Sequence, residues 1–296
     1  MLNINDYKKN KKYLVCVDSD GCAMDTMDVK HIKCFGPCMV KEWNLQKWSD
    51  EILARWNEVN LYSMTRGINR FKGLAVALSE INEKYVKIDD VESIVSWVNN
   101  AKELSNGALL IEIEKNPNSV ALKKALNWSK TVNAEIEKLP NSLKLPFPMV
   151  KEALQYASKI ADVAIVSSAN LEAVLEEWER YGLMPYVDIV LSQNVGSKAY
   201  CIQELLKKGY SANDVVMCGD APGDKQAAEK NGVFYFPIIV KKEKESWVEF
   251  INNGLNNVFN GKYSGEYQQN LNKAFLKNLG GEEKRGIYGK LKSKTL

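Results

Sequence analysis

Four aspartates carry the strongest chemical signal in this chain. Asp18 and Asp20 close the segment YLVCVDSDG, directly after a short apolar run. Asp220 and Asp224 follow a second apolar run in VVMCGDAPGD. If the two runs are neighbouring parallel strands, their carboxyl ends gather all four side chains into one metal-binding, phosphate-handling site. The spacing of two residues sets Asp18 and Asp20 around the same loop mouth. Taken singly, each aspartate reads equally well as a turn or helix-cap residue; the downstream acidic motif is what tips the balance.

The elements that must position them are legible as a pattern. Tyr13 to Val17 predicts a central strand ending at Asp18. From Pro148 onward, apolar runs alternate with amphipathic stretches: a helix near 149–159, a strand ending at Ser167, the helix LEAVLEEWERYG closed by Gly182, a strand over 187–191, a helix starting near Ser197, a strand over 214–218, a helix over 224–230 and a strand over 233–236. Such alternation implies a largely parallel sheet that is active at its carboxyl edge. Gly219 and Gly223 are expected to permit turns. Between the two halves lies a long insertion. In it Trp48, Ile52, Trp56 and Val59 recur at helical spacing, as do Val91, Ile94, Val95 and Val98, and SVALKKALNWSKTVNAEIEKL reads as another helix. These stripes, tryptophans included, are expected to form core. Pro140, Pro146 and Pro148 punctuate the return as a linker or hinge. Beyond a helix over 246–258 the chain turns polar, and Lys284, Arg285, Lys290, Lys292 and Lys294 make its end basic, as a solvated face or frayed tail would be.

Composition narrows the class. The chain has 296 residues, 45% of them hydrophobic, enough for one large or two modest domains. A formal charge of +3 is too mild to imply nucleic acid. The start MLNINDYKKNKK does not resemble a secretory signal, and no run is long enough to cross a bilayer, so a cytoplasmic protein with no membrane partner is the expectation. Six scattered cysteines do not form a secreted disulfide pattern. Cys34 and Cys38 lie near His31, the only histidine, but at the wrong spacing for a zinc knuckle. No G-x-G-x-x-G follows the first strand, which argues against a dinucleotide site.

The order DSDG, SSAN, SKAY, GDAPGD resembles the haloacid dehalogenase-like hydrolase superfamily, chiefly its phosphatase and phosphomutase branch, over residues 12–24 and 146–238. The resemblance implies an α/β, Rossmann-like core, a parallel sheet with helices on both faces, made of residues 1–24 and 146–296 with a C-terminal extension, plus a mostly helical cap inserted over 25–145. Carried over residue by residue, Asp18 looks like the nucleophile that forms an aspartyl-phosphate, and Asp20 like the acid/base that protonates the leaving group and then activates water. Lys198 matches the cation that neutralises the nucleophile and the transferring phosphoryl group. Ser167 matches the phosphate-binding position, with Ser168 as an adjacent substitute, although a helix-capping role for one serine is an equal alternative. Asp18, the backbone carbonyl of Asp20, Asp220 and Asp224 would hold Mg²⁺, with Asp220 favoured for direct contact.

Asp25 and Thr26 sit where core turns into cap. In LYSMTRGINRFKGL, Arg66, Asn69, Arg70 and Lys72 resemble a cap segment that faces substrate; alternatively Arg66 and Arg70, four apart, share a solvated helix face. One departure stands out: Cys22 occupies a position where threonine is common, and a thiol is the poorer donor. The expected function is Mg²⁺-dependent hydrolysis of a small phosphorylated metabolite, with a sugar-phosphate mutase or a non-catalytic binding member of the fold as alternatives. Oligomeric state is left open by the sequence.

Overall fold

The computed structural model describes residues 3–280, so the basic cluster from Lys284 to Lys294 lies outside the described residues. The chain divides into two compact units, one made of residues 1–27 and 141–296 and the other of residues 28–140.

The first unit is built on five parallel strands: β1 (Tyr13–Val17), β2 (Ala161–Val166), β3 (Ile189–Leu191), β4 (Val215–Gly219) and β5 (Phe234–Pro237). Apart from partly buried Tyr13, every strand residue is buried, which is why these segments read as unbroken apolar runs rather than as alternating ones. Their spatial order is β3-β2-β1-β4-β5. The chain therefore winds outward from β1 through β2 to β3, then returns to the other side of β1. That reversal opens a crevice at the carboxyl ends of β1 and β4, where ligands bind in open α/β sheets. Val17 pairs with both Ile165 and Cys218, so Asp18 emerges level with the last residues of β2 and β4.

Helices pack against this sheet: Val150–Ala157 on β2, Pro222–Lys230 on β4 and β5, and Glu266–Asn278 on β5. The last of these was not expected from the sequence. It is polar along most of its length and buries only Phe275, so its apolar stripe is too thin to register as periodicity. The expected single helix over 246–258 is instead two short helices, Glu243–Glu249 and Leu255–Phe259, joined by a wider π turn. At Gly254 in that turn, a Cβ would come within 2.9 Å of the Phe236 and Phe250 rings, so only glycine lets the segment lie this close to β5.

The second unit is helical, with Ser49–Leu61, Arg70–Lys84, Val91–Asn100, Asn106–Lys115 and Val120–Glu137 as its longest elements. Its core is aromatic. Trp56, Trp128, Trp97 and Phe71 are buried together, with Phe71 edge-on to Trp97 at 5.0 Å. Burying a side chain such as Phe71 contributes about 1.5–3 kcal/mol. Cys34 and Cys38 are buried there, and burial raises both thiols above the ordinary cysteine value. No described helix is long and apolar enough to cross a membrane.

At the amino edge of the sheet, Asp162 of β2 is fully buried and anchors the start of the chain. Its Oδ2 accepts the backbone N–H groups of Asn10 and Lys11, each at 2.9 Å, and the hydroxyl of Tyr210. Tyr210 in turn shares a 2.7 Å hydrogen bond with Tyr7. Asp162→Ala would leave these three donors, the buried Tyr210 hydroxyl among them, without their acceptor. Urea unfolding should then show a loss of about 3 kcal/mol; a loss under about 1 kcal/mol would mean the anchor does not hold the segment.

Candidate active site

Asp18 follows the last residue of β1, and its N–H donates to the Cys218 carbonyl of β4 at 3.0 Å, which extends the ladder by one rung. The chain then turns sharply. The Ser19 carbonyl accepts the N–H groups of Ala23 and Met24 at 3.0 and 2.9 Å, and Gly21 supplies the one positive φ of the loop, +80°. Asp18 is buried, only 5% of its surface exposed. Its Oδ1 accepts the Ser19 N–H at 2.8 Å, and its Oδ2 lies 2.7 Å from Lys198 Nζ.

Lys198 is the first residue of helix Lys198–Leu206, which Ser197 caps by accepting the Tyr200 N–H. Its ammonium also reaches Asp224 Oδ1 at 2.5 Å. Burial disfavours the charge on Lys198, but Asp18 and Asp224 outweigh it and hold its pKa above the ordinary lysine value. Burial likewise pushes Asp18 up; Lys198 pulls it back, and Asp224 and Asp220 push again, leaving it well above the usual carboxylate range.

Asp220 and Asp224 are both fully buried. Ligand atoms of Asp18, Asp220 and Asp224 all lie within 4.8 Å of one another. Three carboxylates against a single ammonium leave an excess of negative charge in a buried place, and every donor is an oxygen. That donor set fits a small hard divalent cation. Within it the two downstream aspartates differ. Both oxygens of Asp224 are engaged, one by Lys198 and the other by the Ala221 N–H at 3.0 Å. Asp224 is the third residue of helix Pro222–Lys230, and its bond to Ala221 satisfies an N–H that the cap residue itself, an alanine, leaves to others. Asp220 stands before that helix, directly after the last residue of β4.

Gly219 and Gly223 do not serve turns: neither has a positive φ. Gly219 is required by proximity instead. A Cβ there would lie 2.4 Å from Cβ and Cγ of Asp224, while one at Gly223 would meet nothing. The Gly219 carbonyl is fixed by the buried Tyr235 hydroxyl and the Ile238 N–H, both at 2.9 Å.

The remaining sequence candidates fall as follows. Asp20 is partly buried, and its Oδ1 accepts the hydroxyl of Thr26 at 2.6 Å; its side chain is outside the carboxylate group. Ser167 is buried just past β2 and its hydroxyl accepts the Ala169 N–H, while Ser168 is exposed. Neither serine caps the next helix. Asn170 does, accepting from Glu172 and Ala173, because it stands directly before the first helical residue. Cys22 is buried, and its thiol donates to the Cys218 carbonyl at 3.5 Å. Burial, with Asp220 and Asp18 nearby, raises that thiol well above the ordinary value, so it stays protonated.

In the helical unit, Arg66 and Arg70 do not share a helix face, since Asn69 caps the helix that begins at Arg70 and leaves Arg66 in the preceding turn. Arg66 is 2% exposed and donates to the Leu61 carbonyl at 2.7 Å. Arg70 donates to Asn133 at 2.7 Å and to Ser129 at 3.1 Å and lies over the Phe35 ring; burial lowers its pKa to about 10. Asn69 spends its side chain on the Phe71 N–H and the Leu104 carbonyl, each at 2.9 Å. All three are occupied within their own unit.

Sequence reasoning missed the groups that brace the loop. Trp178 donates to the Ser19 hydroxyl at 2.9 Å and Trp247 to the Cys22 carbonyl at 3.1 Å. Helical spacing marks Trp178 as buried beside Val174, but nothing in the sequence says where an indole N–H will point.

Residues 98–238 match the family described as haloacid dehalogenase-like hydrolase. That stretch includes Lys198, Asp220 and Asp224, which the parallel sheet brings together with Asp18 at its switch point. Among solved structures, the chain is similar to a haloacid dehalogenase-like family hydrolase from Xanthomonas campestris at 12% identity and TM-score 0.49, over 86% of this chain and 98% of that one. It is also similar to a haloacid dehalogenase-like family hydrolase from Streptococcus pneumoniae at 12% identity and TM-score 0.40, over 81% and 91% of the two chains. A predicted phosphatase from Clostridium acetobutylicum matches at 11% identity and TM-score 0.42, over 77% and 85%. No curated protein sequence matches the chain.

Gly219→Ala tests the packing of the site directly. The added methyl must displace Asp224 from Lys198, so Tm should fall by several degrees, as for overpacking worth about 1–3 kcal/mol. The equivalent change at Gly223, where a Cβ meets nothing, should leave Tm within about 1–2 °C. Equal effects at the two glycines would refute the close-approach account.

Proposed function

We propose that this chain is a Mg²⁺-dependent phosphomonoester hydrolase that works through an aspartyl-phosphate on Asp18. The observation that carries the reading is the ammonium of Lys198 held between Asp18 and Asp224 inside a buried carboxylate group. Lysine there neutralises the nucleophile, and it offers a fixed positive charge to the equatorial oxygens of a phosphoryl group in transfer. Asp18, Asp220 and the Asp20 carbonyl would hold the metal, with Asp224 acting mainly through Lys198. A bound Mg²⁺ would screen the repulsion between Asp18 and an incoming phosphate.

In the first displacement a carboxylate oxygen of Asp18 forms a bond to phosphorus as the ester oxygen departs. Asp20 donates its proton to that alkoxide. In the second, Asp20 takes a proton from water, the water oxygen bonds to phosphorus, and Asp18 leaves as carboxylate with release of inorganic phosphate. Thr26 fixes the orientation of Asp20 through its 2.6 Å hydrogen bond. The family match over residues 98–238 and the buried group of Asp18, Asp220 and Asp224 support this reading; the organic part of the substrate is a small alcohol of unassigned structure.

The test is phosphate release from a panel of small phosphomonoesters. Turnover should require both Mg²⁺ and Asp18, with Asp18→Asn inactive and Asp20→Asn slowed by about 10²- to 10⁴-fold. Trapped phospho-Asp18 without release of inorganic phosphate would favour transfer to a second hydroxyl. No trapped phosphate and no release would sink the enzymatic reading.

Metal should also appear in stability. A carboxyl raised on folding, as Asp18 is, stabilises the fold when protonated. That contribution is lost as pH rises from the ordinary carboxylate range, about 3.9, through the raised value. At neutral pH, Mg²⁺ at about 100 times its Kd should add about 2.7 kcal/mol, seen as a higher Tm. The gain should shrink on acidification as Asp18 protonates; a Tm indifferent to Mg²⁺ at every pH would count against the metal site.

A further inference from the structure

Between the two aspartates of the first motif stands Ser19, a residue with no part in the chemistry so far. It is fully buried, as is Trp178, whose indole N–H donates to its hydroxyl at 2.9 Å. Both backbone polar groups of Ser19 are committed as well. Its N–H holds Asp18 Oδ1 at 2.8 Å, and its carbonyl receives the N–H groups of Ala23 and Met24. The orientation of Ser19 therefore sets where its N–H points, and with it the plane of the Asp18 carboxylate, whose other oxygen is fixed by Lys198.

Trp178 belongs to helix Leu171–Arg180, which follows β2 and the Ser167 turn. A buried indole N–H needs a partner, and this one finds it in the nucleophile loop rather than in its own helix. We propose that Trp178 is a positioning residue for Asp18, acting through the Ser19 hydroxyl to hold the nucleophile in line for attack. The proposal rests on the hydrolase reading above. The competing account is that Trp178 only fills the core with Val174 and Leu183, with which it is buried.

The two accounts separate in a double-mutant cycle on Mg²⁺-dependent hydrolysis of p-nitrophenyl phosphate, with Tm measured on the same proteins. Ser19→Ala leaves the indole N–H without its partner, and Trp178→Phe leaves the hydroxyl without its donor. Each single change should lower Tm by about 3–6 °C. Each should also lower kcat about 10- to 100-fold with KM little altered, since displacing a reacting group by about 1 Å costs that much. Replacing both partners removes the unsatisfied group, so the double variant should regain most of the lost Tm. Its kcat should stay low, because nothing then orients the backbone at position 19. Recovery of kcat in step with Tm, or single variants with wild-type kcat, would overturn the positioning role in favour of packing. Wild-type protein that fails to turn over would instead overturn the hydrolase reading, and the proposal with it.

Discussion

One buried ion pair organises the chemistry of this chain: the ammonium of Lys198 set between the carboxylates of Asp18 and Asp224. Charges taken out of water are costly unless they are paired and hydrogen-bonded. Here the pairing spans three separate elements, the end of β1, the start of a helix after β3 and the start of a helix after β4. Only the parallel sheet, with its reversal at β1, brings those three points together. The same arrangement leaves more negative than positive charge in the crevice. A group of carboxylates poised in this way disfavours a further anion unless a cation accompanies it.

Holding that pair in place takes more than the residues that form it. Gly219 lets Asp224 approach the strand backbone, and Tyr235 fixes the Gly219 carbonyl from the neighbouring strand. On the other side, two indoles brace the loop after β1, one at the Ser19 hydroxyl and one at the Cys22 carbonyl. The thiol of Cys22 is a weak donor to β4, and the Trp247 indole holds the carbonyl of the same residue. The two edges of the sheet have separate tasks. The amino edge spends a buried aspartate, Asp162, on anchoring backbone, whereas the carboxyl edge gathers Asp18, Asp220 and Asp224 into one buried group.

The helical unit shows how misleading residue type can be without placement. Arg66 and Arg70 are suited by chemistry to grip an anion. Both are instead folded into their own unit, donating to a backbone carbonyl, a serine and an asparagine. The Arg66 bond satisfies a buried backbone carbonyl, and the Arg70 bonds tie two helices of the unit together, which are structural duties.

The sequence by itself determined the parallel α/β architecture, because fully buried strands must be unbroken apolar runs and the helices between them must be amphipathic. It also singled out Asp18, Asp220, Asp224 and Lys198, since motif order and strand ends are properties of the chain. It did not determine the helix Glu266–Asn278, whose single buried residue leaves no periodic trace, nor that Asn170 rather than a serine would cap its helix. Only the tertiary structure decided which polar side chains became partners. Trp178 and Ser19 are 159 residues apart, as are no pair that local pattern can join. The bond exists because folding excludes water from both groups, and a donor denied water must take the nearest acceptor that the packing brings to it.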